Sequence, residues 1–194
     1  SSRMTRALAA VALGAALLAG ANPAPAGVPW ALAPAPTPVV PLGAFGWPLP
    51  GVDLGSAPAR AGALGSVARR FDPPPHYYGR GHRGADLIGR PGLGVVAAGD
   101  GVVVFAGRVA GRGVVSVEHA AGLRTTYEPV TPAVTVGTPV RRGDPLGTLE
   151  PGHAGCPAVA CLHWGLRRPG GGVVEYLDPL LLLGLGRVRL LPSP

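Results

Sequence analysis

"GVVAAGDGVVVFAG", residues 94–107, is a pair of valine-rich runs separated by a glycine-aspartate-glycine break. Each run is too short for a helix, and its β-branched side chains suit a pleated strand. The same grammar continues in "GVVSVEH" (113–119), "LRTTYE" (123–128), "AVTV" (133–136) and "PLGTLE" (145–150). Glycine-bearing turns such as "GDG" (99–101) and "AAG" (120–122) separate these runs at close spacing. The pattern predicts an all-β fold, a compact antiparallel β-sandwich of two sheets with glycine-rich turns. From Gly94 onward no helical period is sustained, and the late stretch "EYLDPLLLLGLG" (175–186) fits either a last strand or a short turn of helix.

Upstream of this block the composition changes. Residues 27–50, "GVPWALAPAPTPVVPLGAFGWPLP", are dense in proline, which has no N–H to give a ladder, and they read as a semi-rigid extended linker. Residues 51–80 read as mostly irregular and run into "DPPPHYYGRG" (72–81). The N-terminal stretch has Arg3 and Arg6, then 15 apolar residues from Ala7 to Ala21, then small residues. An apolar run of that length falls short of the roughly 20 residues that span a bilayer, and the layout is that of a secretory signal. The expected organisation is therefore a signal peptide at 1–26, a linker at 27–50, a β domain at 51–186 and a tail at 187–194.

Bulk properties narrow the function classes. The chain has 194 residues, enough for one domain with a sizeable core, with 32 glycines, 24 prolines and 47% hydrophobic content. Its net charge is +7 and its pI about 10.7. In an exported chain such a surface meets anionic wall polymers or lipid headgroups, and a membrane would be engaged only through an uncleaved signal peptide. Nucleic-acid binding is disfavoured, because the arginines are scattered, only 5% of residues are aromatic and no recognition motif accompanies them. Every one of the 17 basic residues is arginine. That excludes biotin or lipoyl carrier domains, whose glycine-punctuated sandwich the stretches 94–107 and 140–150 otherwise suggest, since those domains attach their cofactor to lysine.

The chemistry concentrates in "GRGHRGADLIG" (79–89) and "ACLHWGLRR" (160–168). On a straight strand the Cα atoms of His82 and Asp86 would lie roughly 13 Å apart, too far to share one ion, so the segment is expected to bend, with Gly81 and Gly84 supplying the freedom. Bent, it presents an imidazole and a carboxylate to one zinc ion. In a strand through 160–168, Cys161, His163 and Gly165 face one way, while Leu162 and Trp164 face the core. His163 can then complete a three-ligand zinc site with an open position for water, the arrangement of catalytic rather than structural zinc. A packed core histidine is the plain alternative.

Taken in order, "GHRGADL" (81–87), residues 94–107, "VSVEHAAGLRTTYEPV" (115–130), "VRRGDPLGTLE" (140–150) and "CLHWGLR" (161–167) resemble the lysostaphin-type zinc metalloendopeptidases, which cut peptide bonds in bacterial peptidoglycan. The resemblance covers about residues 45–183 and implies that His82, Asp86 and His163 hold Zn2+. It also exposes two departures. The family's H-x-H motif begins with a catalytic histidine where this chain has Cys161, and its T-x-Y-x-H stretch ends in a second one where this chain has Pro129.

Several residues compete for the vacated roles. Glu128 stands one residue early, and on an unbroken strand it would turn to the opposite face, so it substitutes only if Pro129 breaks the strand. His153 precedes the late strand in a flexible stretch and can fold inward, whereas His119 reads as packed or turn-bonded. Cys161 has three readings: a disulfide with Cys156, a fourth zinc ligand, or a nucleophile without an evident base. The functional expectation is an exported, extracytoplasmic zinc metalloendopeptidase-like domain acting on peptidoglycan peptides, with catalysis reduced or rewired. The alternative is a non-catalytic, zinc-stabilised module that binds cell wall or regulates another hydrolase.

Overall fold

The computed structural model describes residues 43–52, 54–76, 78–170 and 173–186. The expected signal peptide, most of the expected linker and the tail lie outside the described residues. A helix, α1 (Ala57–Gly65), comes first. Eleven strands follow: β1 (Val67–Arg69), β2 (Gly84–Gly89), β3 (Gly94–Val96), β4 (Gly101–Val109), β5 (Arg112–Glu118), β6 (Arg124–Glu128), β7 (Val130–Pro132), β8 (Pro139–Val140), β9 (Pro145–Leu149), β10 (Ala160–Gly170) and β11 (Val173–Leu177). A 3-10 turn, Pro179–Leu183, closes the described chain, so the late stretch forms both a strand and a helical turn.

The strands make two antiparallel sheets. The larger runs in the order β1-β2-β10-β6-β5-β4-β8, with β11 also paired to β10, and the smaller in the order β3-β9-β7. The β4–β5 hairpin turns at Ala110 and Gly111, both at positive φ (47° and 85°). Two such residues in sequence give the mirror-image turn whose twist matches that of the flanking strands, and glycine supplies the second at little cost.

Register places the core and, with it, the site. In β10, Leu162 pairs with Leu87, and Trp164 lies between Ala85 and Tyr127. All five are fully buried, and with Val115 and Val117 of β5 and Val95, Val130, Leu146 and Leu149 of the smaller sheet they form the apolar interior. Burial of this apolar area is the dominant favourable term in the fold. Because side chains alternate along a strand, the intervening residues of β10 must face the other way. His163 therefore pairs with Asp86 on one side and Glu128 on the other, and directly opposed residues share a face.

Two segments depart from the sequence expectation. Part of the stretch expected to be linker is packed: Phe45, Trp47 and Leu49 are buried in the core, and the packed body reaches N-terminal of residue 51. Proline lacks a donor but keeps its acceptor, so Pro48 O receives Val96 N–H at 2.9 Å, while Gly46 N–H donates to Ala98 O at 2.7 Å. Within 51–80, where irregular chain was expected, α1 forms. Ser56 caps it by accepting from Ala59 N–H at 3.3 Å, and proline stands in its first turn. Among the described residues no helix is long and apolar enough to cross a membrane.

Candidate metal centre

His82 stands just ahead of β2, fixed by a reciprocal backbone bridge to Asp72 with bonds of 2.7 and 2.9 Å. The chain bends there and enters β2 two residues later, which brings the His82 ring back over Asp86. Neither Gly81 nor Gly84 takes a positive φ. Their role is close approach rather than the conformational freedom the sequence suggested. A Cβ on Gly81 would lie 2.6 Å from Asp72 O, and one on Gly84 2.5 Å from Trp164 O and 2.7 Å from His163 Nε2. A side chain at residue 84 would push the His163 ring away from β2.

Three imidazole nitrogens converge on one carboxylate oxygen. Asp86 Oδ1 lies 2.9 Å from His82 Nε2, 2.8 Å from His163 Nδ1 and 3.1 Å from His153 Nε2. His82 Nε2 and His163 Nδ1 are 3.1 Å apart, and all four ligand atoms lie within 4.8 Å of one another. Asp86 is fully buried, and among the described residues its Oδ2 has no hydrogen-bond partner. Burial alone would raise its pKa, but hydrogen bonds with His153, His163 and His82, and the attraction of His82, hold it well below the usual carboxylate range.

This arrangement fits a divalent cation. His82 Nδ1 lies 2.8 Å from Arg70 O, which can only accept, so the proton sits on Nδ1. Nε2 is thereby aimed at Asp86 Oδ1 from 2.9 Å, a spacing at which one cation can take a lone pair from each. Zinc bonds of 2.0–2.1 Å would set the corners of a tetrahedron about 3.3 Å apart, close to the separations found here. Imidazole nitrogen and carboxylate oxygen are zinc donors.

Sequence reasoning named His82, Asp86 and His163, and the fold brings these three together. His153 joins them from the loop before β10, where the sequence offered only the possibility that it folds inward. Cys156 and Cys161 are joined in a disulfide with Cα atoms 5.8 Å apart, so neither thiol is free at the site. His119 is elsewhere, buried with Nδ1 2.8 Å from Asp100 O and Nε2 2.7 Å from Thr125 Oγ1.

Glu128 does not face away. The strand breaks at Pro129, joined to Glu128 by a cis peptide, and pairing with β10 puts Glu128 opposite His163 on the site face. Its Oε2 accepts from Arg112 Nε at 2.9 Å. Clefts open on both sides of this ion pair. One is lined by His163, Arg83, Arg167 and Tyr176, the other by His153, Pro129, Arg108 and Glu150.

The family model described as Peptidase family M23 matches residues 80–176, half of the chain. An uncharacterized protein of Mycobacterium tuberculosis is 49% identical over 148 residues, covering 72% of this chain and 59% of that protein. One of Mycobacterium bovis matches to the same extent. The chain thus spans about three fifths of the length of these curated relatives. Among solved structures, the catalytic domain of the antimicrobial peptidase lysostaphin from Staphylococcus simulans aligns with a TM-score of 0.51 at 21% identity, covering 66% of this chain and 98% of that chain. That likeness is one of fold.

Proposed function

Because the chain belongs to peptidase family M23, we propose that it is an exported zinc-holding domain that takes peptidoglycan peptides into the cleft beside His163 and cleaves them slowly. The observation that carries this reading is the convergence of His82, Asp86 and His163 on a common point beneath an open cleft. When bound, zinc supplies Lewis acidity toward a peptide carbonyl and toward water.

The chain's own residues supply the rest. Arg83, Arg112 and Arg167 outnumber Glu128 along the cleft beside His163, and this favours peptides that carry carboxylates. The two positions at which the family carries catalytic histidines hold Pro129 and a disulfide-bonded Cys161. A positioned general acid or base contributes about 10² to 10⁴ in rate, so hydrolysis is expected to fall short by at least that factor. Glu128 shares the site face, but its Oε2 is already engaged by Arg112 Nε at 2.9 Å.

A second reading, the non-catalytic module that binds wall or regulates a hydrolase, is favoured by one observation. His153 brings a third imidazole into the cluster, its Nε2 3.1 Å from Asp86 Oδ1, where a three-ligand catalytic site would keep an open position.

Metal analysis of the purified chain, turbidity loss of purified cell walls and co-sedimentation with those walls test both. Zinc near one per chain with slow lysis abolished by His163→Ala supports the first reading. Zinc and wall binding without lysis support the second. A chain that takes up no zinc and does not sediment with walls overturns both.

A further inference from the structure

His153 is the group at this centre that neither the family's ligand pattern nor the sequence assigns to metal. Its Nε2 lies 3.1 Å from Asp86 Oδ1, about as close as the nitrogens of His82 and His163, and its ring centroid is 5.4 Å from that of His163. Resting on the metal-site reading above, we propose that His153 is a fourth protein ligand, so that the donor set of three imidazoles and one carboxylate is closed.

The backbone carries this inference further than the distance does. His153 has φ of 129°, a conformation that residues with a side chain rarely adopt. Strain of this kind persists only where the surroundings over-determine it, and it collects at functional positions. Here the surroundings do so. Gly152 N–H donates to Val159 O at 2.9 Å, Gly152 bridges to Ala160, and Cys156 N–H donates to His153 O at 3.1 Å. The Cys156–Cys161 disulfide then ties the far side of the loop to β10, two residues from His163. A loop serving only as a connection needs no strained histidine, and residue 153 would be better served by glycine.

A closed set of four protein donors is the pattern of structural zinc, whereas catalytic sites keep a position for water or substrate. The slow cleavage proposed above would therefore require His153 to leave the metal, and a permanently closed set favours the second reading. The disulfide acquires a purpose on this reading: it holds the loop so that the fourth imidazole stays in place.

Cobalt(II) in place of zinc, added to the full chain, tests the inference through its visible spectrum, with azide as an exogenous ligand and zinc affinity measured by chelator competition. The wild type is expected to bind the metal with a spectrum that azide leaves unchanged. His153→Ala is expected to lose about ten- to a hundredfold in zinc affinity and to gain a spectral response to azide. A wild-type spectrum that shifts with azide, or an unchanged affinity in His153→Ala, overturns the fourth ligand while leaving the three-ligand reading in place. The azide response of the wild type needs no variant to fold. A wild type that binds neither cobalt nor zinc overturns this inference together with the reading beneath it.

Discussion

At the scale of single residues, the buried polar side chains are few, and most have a defined partner among the described residues. Tyr127 is fully buried on the core face of β6, its hydroxyl accepting Ala98 N–H at 2.9 Å and lying 2.9 Å from Thr125 Oγ1. Burial pushes its pKa up to about 12, so it stays protonated at ordinary pH. Tyr127→Phe removes the acceptor for a buried amide, an unmet desolvation that costs about 1–3 kcal/mol. The urea midpoint of the variant should fall accordingly, and metal binding should not. Its neighbour Glu128 shows where residue-level reading from sequence reaches its limit. Alternation along an unbroken strand turned it from the site, but a break at Pro129 and pairing with β10 put it beside His163. Which face a residue takes at the end of a strand depends on its cross-strand partner, and a sequence does not name that partner.

At the scale of elements, the strands were the most legible feature, because valine-rich runs between glycine turns leave little else to form. The helix α1 is hard to read from the sequence although Ser56 and the proline after it are ordinary start signals, since only Ala63 on it is buried and no apolar stripe announces it. The packing of segment 45–49 is hidden in the sequence for a different reason. Proline density argues against a ladder of paired donors but says nothing of side-chain packing, and Phe45, Trp47 and Leu49 are all buried in the core. Trp47→Ala should therefore behave as a core truncation, lowering stability by about 3–5 kcal/mol in a denaturant titration. A tryptophan in a solvated linker would show almost no change.

At the scale of the whole molecule, pH links one buried group to the stability of the fold. His119 is packed against Phe45, with ring centroids 5.0 Å apart, and burial lowers its pKa from 6.5 despite the bond to Asp100 O and the charges of Asp100 and Glu118. The unfolded chain then binds the proton more readily, so the stability due to neutral burial is complete above about pH 6.5 and is lost as pH falls below it. Chemical denaturation of metal-free protein from about pH 7 to 5 should show a falling midpoint, with a shallower slope in His119→Gln. An identical slope in the two proteins would place the titration elsewhere. By itself the sequence determined the β class, the β10 alternation of Leu162 and Trp164 against His163, and the three residue types suited to a metal, because these follow from short-range periodicity and local donor chemistry. Only the tertiary structure decided that His153 reaches Asp86, that Glu128 shares the site face and that residues 45–49 are interior. Those outcomes rest on contacts between segments distant along the chain, and such contacts are set by strand register and loop closure rather than by local composition.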